Sequence, residues 1–176
     1  QNWTKAILPT MIACLSSLML PQSVNATVEG GALVKGTTFS DGTTVVPAHN
    51  ATSKAIKWNQ LDYDTTAFDF NSSTPTRLKV KSAGDYFLSF TGPVAEASKS
   101  ANVRSQVHFF VKKNGSTAIP TAKTSSTYVR HDSDHTESSG HLHILLPSLS
   151  TNDYIEVYAK AFDTSANTVS LGTTSL

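Results

Sequence analysis

Polar and apolar residues alternate with a period of two along much of this chain. The clearest case follows an Ala-Gly-Asp turn, where Tyr86, Leu88 and Phe90 predict one face of a strand. Phe87 and Ser89 predict the opposite face of the same strand. Alternation of this kind, broken by Gly, Asn and Asp, is typical of antiparallel strands that bury one side.

The same pattern recurs through the rest of the chain, and no helical period is found from residue 27 onward. Each candidate strand is short and is bounded by turn-forming residues. The candidates are residues 31–35, 43–46, 54–58, 76–81, 85–90, 103–112, 126–131, 140–146, 154–161 and 169–176. Around ten such strands predict an all-β fold, a ten-strand antiparallel two-sheet jelly-roll sandwich.

Two short stretches predict details of this sandwich. Leu78 and Val80 are expected to face the core, with Lys79 between them facing solvent. Asn114 and Gly115 follow a lysine at the end of a long candidate strand and tolerate the positive φ angles of a hairpin turn. We therefore expect the chain to reverse direction there.

The first 26 residues have a different character. Lys5 precedes an apolar run over residues 6–20, and small residues at Val24 and Ala26 satisfy the pattern for cleavage after Ala26. The run is short for a membrane span and contains Pro9, which favours a signal peptide over an apolar anchor. We expect residues 1–26 to be a removable leader and residues 27–176 to be one jelly-roll domain, secreted and not inserted in a membrane once the leader is gone.

The amino-acid composition argues against several classes of function and of site. Charged residues make up 15% of the 176 residues and the formal net charge is +1, so no basic face for nucleic acid is predicted. Cys14 is the single cysteine and lies in the predicted leader. The domain would then hold together without disulfides and without a thiolate nucleophile or a cysteine-based zinc site.

An ordered series of short motifs carries a family resemblance. The motifs are Ile56-Lys57-Trp58-Asn59, Asp62-Tyr63-Asp64, Phe68-Asp69, Arg77-Leu78-Lys79-Val80, Ala83-Gly84-Asp85-Tyr86-Phe87, Lys113-Asn114-Gly115 and Asn152-Asp153-Tyr154-Ile155-Glu156-Val157. The series resembles the globular head domain of the complement C-one-q type, a jelly roll shared with the tumour necrosis factor superfamily. The resemblance implies a ten-strand jelly roll that forms a homotrimer about a threefold axis and displays loops to partners.

The chain departs from that family in two places. No collagen-like Gly-x-y stalk precedes the domain, so a trimer would have to form through the heads themselves. The family's closing strand ends in an aromatic-rich segment, whereas this sequence stops at Thr173-Thr174-Ser175-Leu176. This second departure is what a fragment lacking its last few residues would show.

A histidine-rich stretch is the strongest candidate for a metal site. His141 and His143 lie two apart on a candidate strand and should project from one face, while His131 and His135 precede them. Two imidazoles on one face suit a divalent cation if a further ligand joins them. A solvated loop leading into a strand explains the same pattern, and ligand spacing alone favours that simpler reading. A cupin-type metal site is excluded because no Glu and later His follow at the required positions.

Other chemistry is weakly indicated. Asp62, Asp64 and Asp69 lack the Gly and terminal Glu of a helix-loop-helix calcium site and are better explained as solvated turn acids. No Gly-x-Ser-x-Gly elbow and no phosphate-binding Gly loop occur. The sequence therefore predicts a protein that is not an enzyme, with no catalytic residues and no cofactor.

Four aromatic residues lie close together in the sequence. They are Trp58, Tyr63, Phe68 and Phe70. They could line a ligand groove, but packing in the core or at a subunit interface is the simpler interpretation because large aromatics dominate such burial.

These observations predict a secreted homotrimer that binds or displays, with a protein or glycan ligand that the residues do not specify. Three copies of one loop surface would act together and raise avidity. Two alternatives stay open: a metal-binding protein or metal-dependent hydrolase built on His131, His135, His141 and His143, and a surface fibre or capsid component of a virus or phage.

Overall fold

The computed structural model describes residues 30–97, 104–119, 125–130, 135–162 and 169–176, and the backbone alone for residues 117–119. The described residues form fourteen β-strands: β1 Ala32–Gly36, β2 Thr38–Phe39, β3 Lys54–Lys57, β4 Gln60–Tyr63, β5 Phe68–Phe70, β6 Leu78–Val80, β7 Gly84–Glu96, β8 Arg104–Lys113, β9 Thr117–Ile119, β10 Ser125–Arg130, β11 Glu137–Leu149, β12 Tyr154–Ala161, β13 Val169–Leu171 and β14 Thr174–Ser175. No helix in these ranges has the length and apolar character needed to cross a membrane. The predicted leader, residues 1–26 with Cys14, lies outside the described ranges.

The strands form two antiparallel sheets. The six-stranded sheet runs β11-β7-β14-β1-β4, with β13 also paired to β7. The eight-stranded sheet runs β10-β8-β12-β3-β2, with β6 beside β12, β5 beside β6 and β9 beside β8. Most neighbours are distant in sequence, so the chain crosses repeatedly between the sheets, as in a jelly roll. The predicted all-β two-sheet jelly-roll sandwich is confirmed.

The hydrophobic core lies between the two sheets and follows the alternation seen in the sequence. On β7, Leu88 and Phe90 are buried while Phe87 and Ser89 are exposed. The rings of Phe90 and Phe109 meet between the sheets, with centroids 5.1 Å apart. The predicted inward face of β6, with Leu78 and Val80 buried, and the predicted separation of the two faces of β7 are therefore confirmed.

The described residues form fourteen strands where ten were predicted: β2, β4, β5 and β9 were not predicted, and the predicted strand 169–176 is divided into β13 and β14. Residues 43–46 form no strand, although Val45 bridges to Ser170 and Val46 N–H donates to Val169 O. The strands β4 and β5 were not predicted, because β4 is an almost fully exposed edge strand and β5 has only three residues. Neither offers the repeated alternation on which a sequence prediction depends.

The longest strand, β7, runs past two residues that normally end a strand. Gly92 is buried against the aromatic rings of the core, where a side chain would not fit. Pro93 lacks an amide hydrogen, but its carbonyl accepts a hydrogen bond from Gly172 N–H at 2.8 Å, so the strand stays paired on that side. As a result β7 reaches Glu96, six residues beyond the predicted end.

The predicted hairpin after β8 is confirmed. Asn114 and Gly115 have φ angles of 51° and 72° and join β8 to β9. The Asn114 amide Nδ2 donates to Asp153 at 2.8 Å, and its Oδ1 accepts from Tyr154 N–H at 3.0 Å. The turn is thereby fixed to the start of β12.

Candidate functional site

An apolar pair is exposed on the outer face of the six-stranded sheet, on the edge strand β11 and its neighbour β7. Phe87 on β7 is 71% exposed and Leu145 on β11 is 61% exposed. The two residues are direct cross-strand partners, so their side chains lie side by side. The imidazole of His143 stacks on the Phe87 ring, with centroids 6.3 Å apart and planes 9° apart. We call Phe87, Leu145 and His143 the apolar patch.

The middle of β7 and β11 around the apolar patch is uncharged, and the charged residues of the two strands, Asp85, Glu96 and Glu137, lie at their ends. Residues 86–94 of β7 and 138–146 of β11 contain no Asp, Glu, Lys or Arg. Thr91 and His141, also cross-strand partners, are joined by a hydrogen bond of 3.2 Å between Oγ1 and Nδ1. Leu33 on β1 adds a third exposed apolar side chain to the same sheet, at 49% exposure. Leu33 has the charged residues Asp62 and Lys35 beside it. An exposed aromatic and aliphatic pair such as Phe87 and Leu145, with charge only at the strand ends, is typical of a surface that becomes buried in an assembly.

The outer face of the eight-stranded sheet has the opposite character. Two of its aromatic rings are covered by cations: Lys112 Nζ lies 4.2 Å from the Tyr158 ring centroid, and the Arg77 guanidinium lies 4.3 Å from that of Tyr154. Tyr128 on β10 is 48% exposed. Phe110 stacks on Tyr158 with centroids 5.7 Å apart. Long cationic side chains of this kind keep a strand face compatible with water.

Glu156 is a buried carboxylate on the eight-stranded sheet that binds three neighbouring side chains. Its Oε1 accepts from Thr76 Oγ1 at 2.6 Å and from Arg77 Nε at 3.4 Å, and its Oε2 accepts from the Tyr158 hydroxyl at 3.1 Å. Burial, followed by the Glu156 carboxylate, raises the pKa of Tyr158 to about 12. The network fixes β12 to the loop before β6. Sequence patterning missed it because the partners are nearly eighty residues apart.

The predicted metal candidates are only partly brought together. His141 and His143 project from one exposed face of β11, as expected. His141 already contacts Thr91, and His143 stacks on Phe87. His135 lies before β11 and is exposed, and His131 is outside the described residues. Over the described ranges, no group of three or more His, Cys, Asp or Glu side chains is placed to hold a metal ion.

The turn acids considered for calcium have local partners. Asp64 accepts hydrogen bonds from Thr66 N–H at 2.8 Å and Thr66 Oγ1 at 2.6 Å, which lower the pKa of Asp64. Asp69 pairs with Lys79 at 2.8 Å, and this contact lowers the pKa of Asp69. Asp62 lies on the exposed edge strand β4. Asp64 is therefore a turn acid, as the sequence indicated, whereas Asp62 and Asp69 lie on the strands β4 and β5.

The cluster of four aromatic residues contributes to the core. Trp58 is fully buried and donates from Nε1 to Thr76 O at 3.2 Å. Phe68 is buried and packs edge-on against Tyr86, while Tyr63 and Phe70 pack at the margin of the core. Core packing is therefore the main role of these residues, and Phe68 also lines a cleft beside β1 and β7.

Comparison with known proteins gives little beyond the architecture. No protein-family model matches the chain, and no curated protein matches it in sequence. Matching solved structures include "The Crystal structure of murine APRIL, pH 8.5" and "Crystal structure of murine APRIL, pH 8.0". Each aligns with a TM-score of 0.40 and 11% identity, over 82% of this chain and 98% of the APRIL chain. A likeness at this level carries no argument about function, so the surfaces of the chain itself must supply one.

Proposed function

We propose that this chain is a non-catalytic binding or display module that assembles as a homotrimer through the outer face of its six-stranded sheet. The observation that carries the proposal is the exposed cross-strand pair Phe87 and Leu145. Monomeric proteins rarely leave an aromatic and an aliphatic residue so exposed side by side on a neutral sheet face.

A second copy of the chain is the occupant that best fits this face. The part of the surface around Phe87 and Leu145 carries charge only at the strand ends, so it offers little complementarity to an acidic or basic partner, and its centre can pack against a second copy without placing like charges together. Burying one Phe or Leu side chain contributes about 1.5–3 kcal/mol. Three protomers around one axis bury three copies of the apolar patch, and they present three copies of each loop to a protein or glycan ligand.

The assembly is tested by the molar mass of the chain in solution. We expect light scattering to give three times the 18.8 kDa mass of one chain. Phe87→Ser and Leu145→Ser should each weaken association by about tenfold to a hundredfold, because each removes a large buried apolar group. Tyr128→Ser is the matched control, since Tyr128 is 48% exposed on the eight-stranded sheet.

Two results would contradict the proposed assembly. One is a wild-type chain that stays monomeric at micromolar concentration. The other is a Phe87→Ser variant that associates as strongly as wild type, or a Tyr128→Ser variant that loses association equally. A chelator should leave the molar mass unchanged, because His141 and His143 have no third ligand within the described residues.

We also propose that the module is secreted after removal of residues 1–26. The support is the basic start, the short apolar run and the small residues before Ala26. In a secreting host, N-terminal sequencing of the exported protein should begin at Thr27. Ala26→Pro should block cleavage and leave a longer product, whereas Thr27→Ser should not. Export with an intact N-terminus would show that the segment is an anchor or is retained.

A further inference from the structure

The hairpin after β8 contains the only asparagine of the chain that is followed by glycine, at Asn114 and Gly115. Asparagine is thermally labile, because the backbone nitrogen of the next residue can attack its side-chain carbonyl carbon. A glycine in the next position leaves that nitrogen unhindered by a side chain and lets the backbone rotate freely. Asn114 is exposed, so water can reach the turn. The hairpin thus presents a reactive pair at the surface.

The reaction of this pair converts the side-chain amide into an acid, with water as the only co-reactant. A bond forms between Gly115 N and Asn114 Cγ, and the bond from Cγ to Nδ2 breaks. The proton of Gly115 N leaves with Nδ2 as ammonia, and a cyclic imide remains. One water molecule then opens the imide at either of its two carbonyls. The product is aspartate or isoaspartate, and in isoaspartate the main chain passes through the side chain and is one carbon longer.

The folded structure holds the Asn114 amide away from this attack. Its Nδ2 donates to Asp153 Oδ1 at 2.8 Å and its Oδ1 accepts from Tyr154 N–H at 3.0 Å, so both atoms of the amide are bound to the start of β12. The Asn114 backbone N–H also donates to Tyr154 O at 3.0 Å. To bring Cγ onto Gly115 N, the amide must rotate and lose both of its hydrogen bonds. Each bond is worth about a tenfold change in population, so the reactive population should be about a hundredfold smaller in the folded chain.

The product of the reaction could not form the same link to β12. An aspartate at position 114 would bring a second carboxylate to the place where Nδ2 now lies, 2.8 Å from Asp153 Oδ1. Asp153 is itself held as a carboxylate by Lys113 Nζ and Ser150 N–H. Two carboxylates at this distance repel each other. An isoaspartate would also lengthen the turn directly after the point where Lys113 is paired with Ile155.

We infer that Asn114 is a site of spontaneous deamidation, protected while the chain is folded and reactive once it unfolds. A chain that unfolds briefly keeps Asn114 and refolds to the same hairpin. A chain that stays unfolded, or unfolds repeatedly, acquires a carboxylate at this position and loses the link between β8 and β12. Unfolding therefore becomes irreversible by chemical modification after a time set by the deamidation rate. The protecting groups belong to the hairpin and to β12, so the protection requires neither the proposed trimer nor a partner.

The test compares deamidation of Asn114 in the folded and in the urea-unfolded 176-residue chain, at the same mildly alkaline pH. Peptide mapping by mass spectrometry detects the mass gain from amide to acid and separates aspartate from isoaspartate. We expect Asn114 to react about tenfold to a hundredfold more slowly in the folded chain, because one or both amide hydrogen bonds must break first. A synthetic peptide of residues 110–118, incubated with and without urea, measures the direct effect of urea on the reaction.

Two variants separate the added charge from the lost hydrogen bonds. Asn114→Asp reproduces the aspartate product. Asn114→Gly removes both amide hydrogen bonds without adding charge and tolerates the φ angle of 51° at this position. We expect Asn114→Asp to unfold at a lower urea concentration than Asn114→Gly. Wild-type chain that has been deamidated in urea, separated by ion exchange and returned to buffer should unfold as easily as Asn114→Asp, or more easily.

Three outcomes would overturn the inference. Equal deamidation rates in the folded and the unfolded chain would mean that the hydrogen bonds to β12 do not protect the amide. Equal urea midpoints for Asn114→Asp and Asn114→Gly would mean that Asp153 tolerates a second carboxylate. A deamidated chain that regains wild-type stability would mean that the modification is harmless. If Asn114→Asp fails to fold while Asn114→Gly folds, the inference is supported, because the added charge is then the cause.

Discussion

Gly92 and Gly140 lie directly opposite each other on β7 and β11, beneath the aromatic pair that joins the two sheets. A Cβ added at Gly92 would lie 2.6 Å from Phe109 Cζ and 2.7 Å from Phe90 Cε1. A Cβ added at Gly140 would lie 2.7 Å from Phe109 Cδ2. The two glycines therefore make room for one ring, and neither is needed for a turn.

Gly140→Ala should destabilise the fold by about 1–3 kcal/mol, because the Phe109 ring must move in a filled core. The thermal midpoint should fall by about 2–4 °C for each kcal/mol lost. Calorimetry checks the value. Gly84→Ala is the matched control at the exposed start of β7, where a Cβ has nothing within 4 Å. Equal midpoints for Gly140→Ala and wild type would contradict the packing described.

At the residue scale, the sequence predicted correctly which side chains share a strand face, but it did not explain why particular residues occupy their positions. Alternation placed Leu88 and Phe90 on one face of β7 and His141 and His143 on one face of β11, as found. It could not indicate why Gly92 is a glycine, since a glycine inside a strand pattern also reads as a break. Position 92 requires a glycine because Phe109 of the opposite sheet occupies the space that a side chain would need. A period-two pattern in the sequence carries no information about which residues of two packed sheets meet.

Among the elements, the turn before β12 is joined to the turn after β8 by a single carboxylate. Asp153 accepts hydrogen bonds from Asn114 Nδ2 and Ser150 N–H, both at 2.8 Å, and pairs with Lys113 Nζ at 2.5 Å. The Lys113 ammonium, then the Asn114 amide, lower the pKa of Asp153 to about 2. The charged carboxylate thus links the end of β8 to the start of the neighbouring strand β12.

This link predicts a pH dependence of stability. The unfolded chain takes up a proton on Asp153 near pH 4 and the folded chain near pH 2. The stabilisation is therefore present above about pH 4 and is lost as the pH falls from about 4 to about 2. Urea unfolding of Asp153→Asn should show lower stability at pH 7 and a shallower fall in that acid window than wild type.

Asp62→Asn is the control for this experiment, because Asp62 is exposed on the edge strand β4. Its pH profile should follow wild type. An Asp153→Asn profile that falls as steeply as wild type below pH 4 would show that other carboxyls dominate acid unfolding and that the Asp153 link contributes little.

Element prediction succeeded where a strand is long and half buried. The strands β7, β8, β11 and β12 were all located, since each repeats the alternation over many residues. The prediction failed for β4, whose residues Gln60, Leu61 and Asp62 are all exposed. A strand held by hydrogen bonds to β1 alone leaves little hydrophobic signal in the sequence, because it buries almost nothing.

At the scale of the whole molecule, the two outer faces of the sandwich differ in kind. One bears cations over aromatic rings, at Lys112 and Arg77, and the other bears Phe87 and Leu145 in the open. Sequence alternation separated Phe87 from Leu88 but could not say which of them faces the core, because both are apolar. Which face of β7 is buried depends on how the two sheets pack against each other, so the apolar patch was not predicted from the sequence.

The pairing of β1 with β14 also determines how the molecule responds to force. The two strands are antiparallel, and Val34 and Leu176 exchange their hydrogen bonds near the point where Gly30 enters the sheet. A pull between Gly30 and Leu176 would load these bonds one after another rather than together, so β14 would unzip at low tension. A tether at either residue alone would leave the sandwich unstrained, whereas a load carried through both would open the six-stranded sheet at its centre.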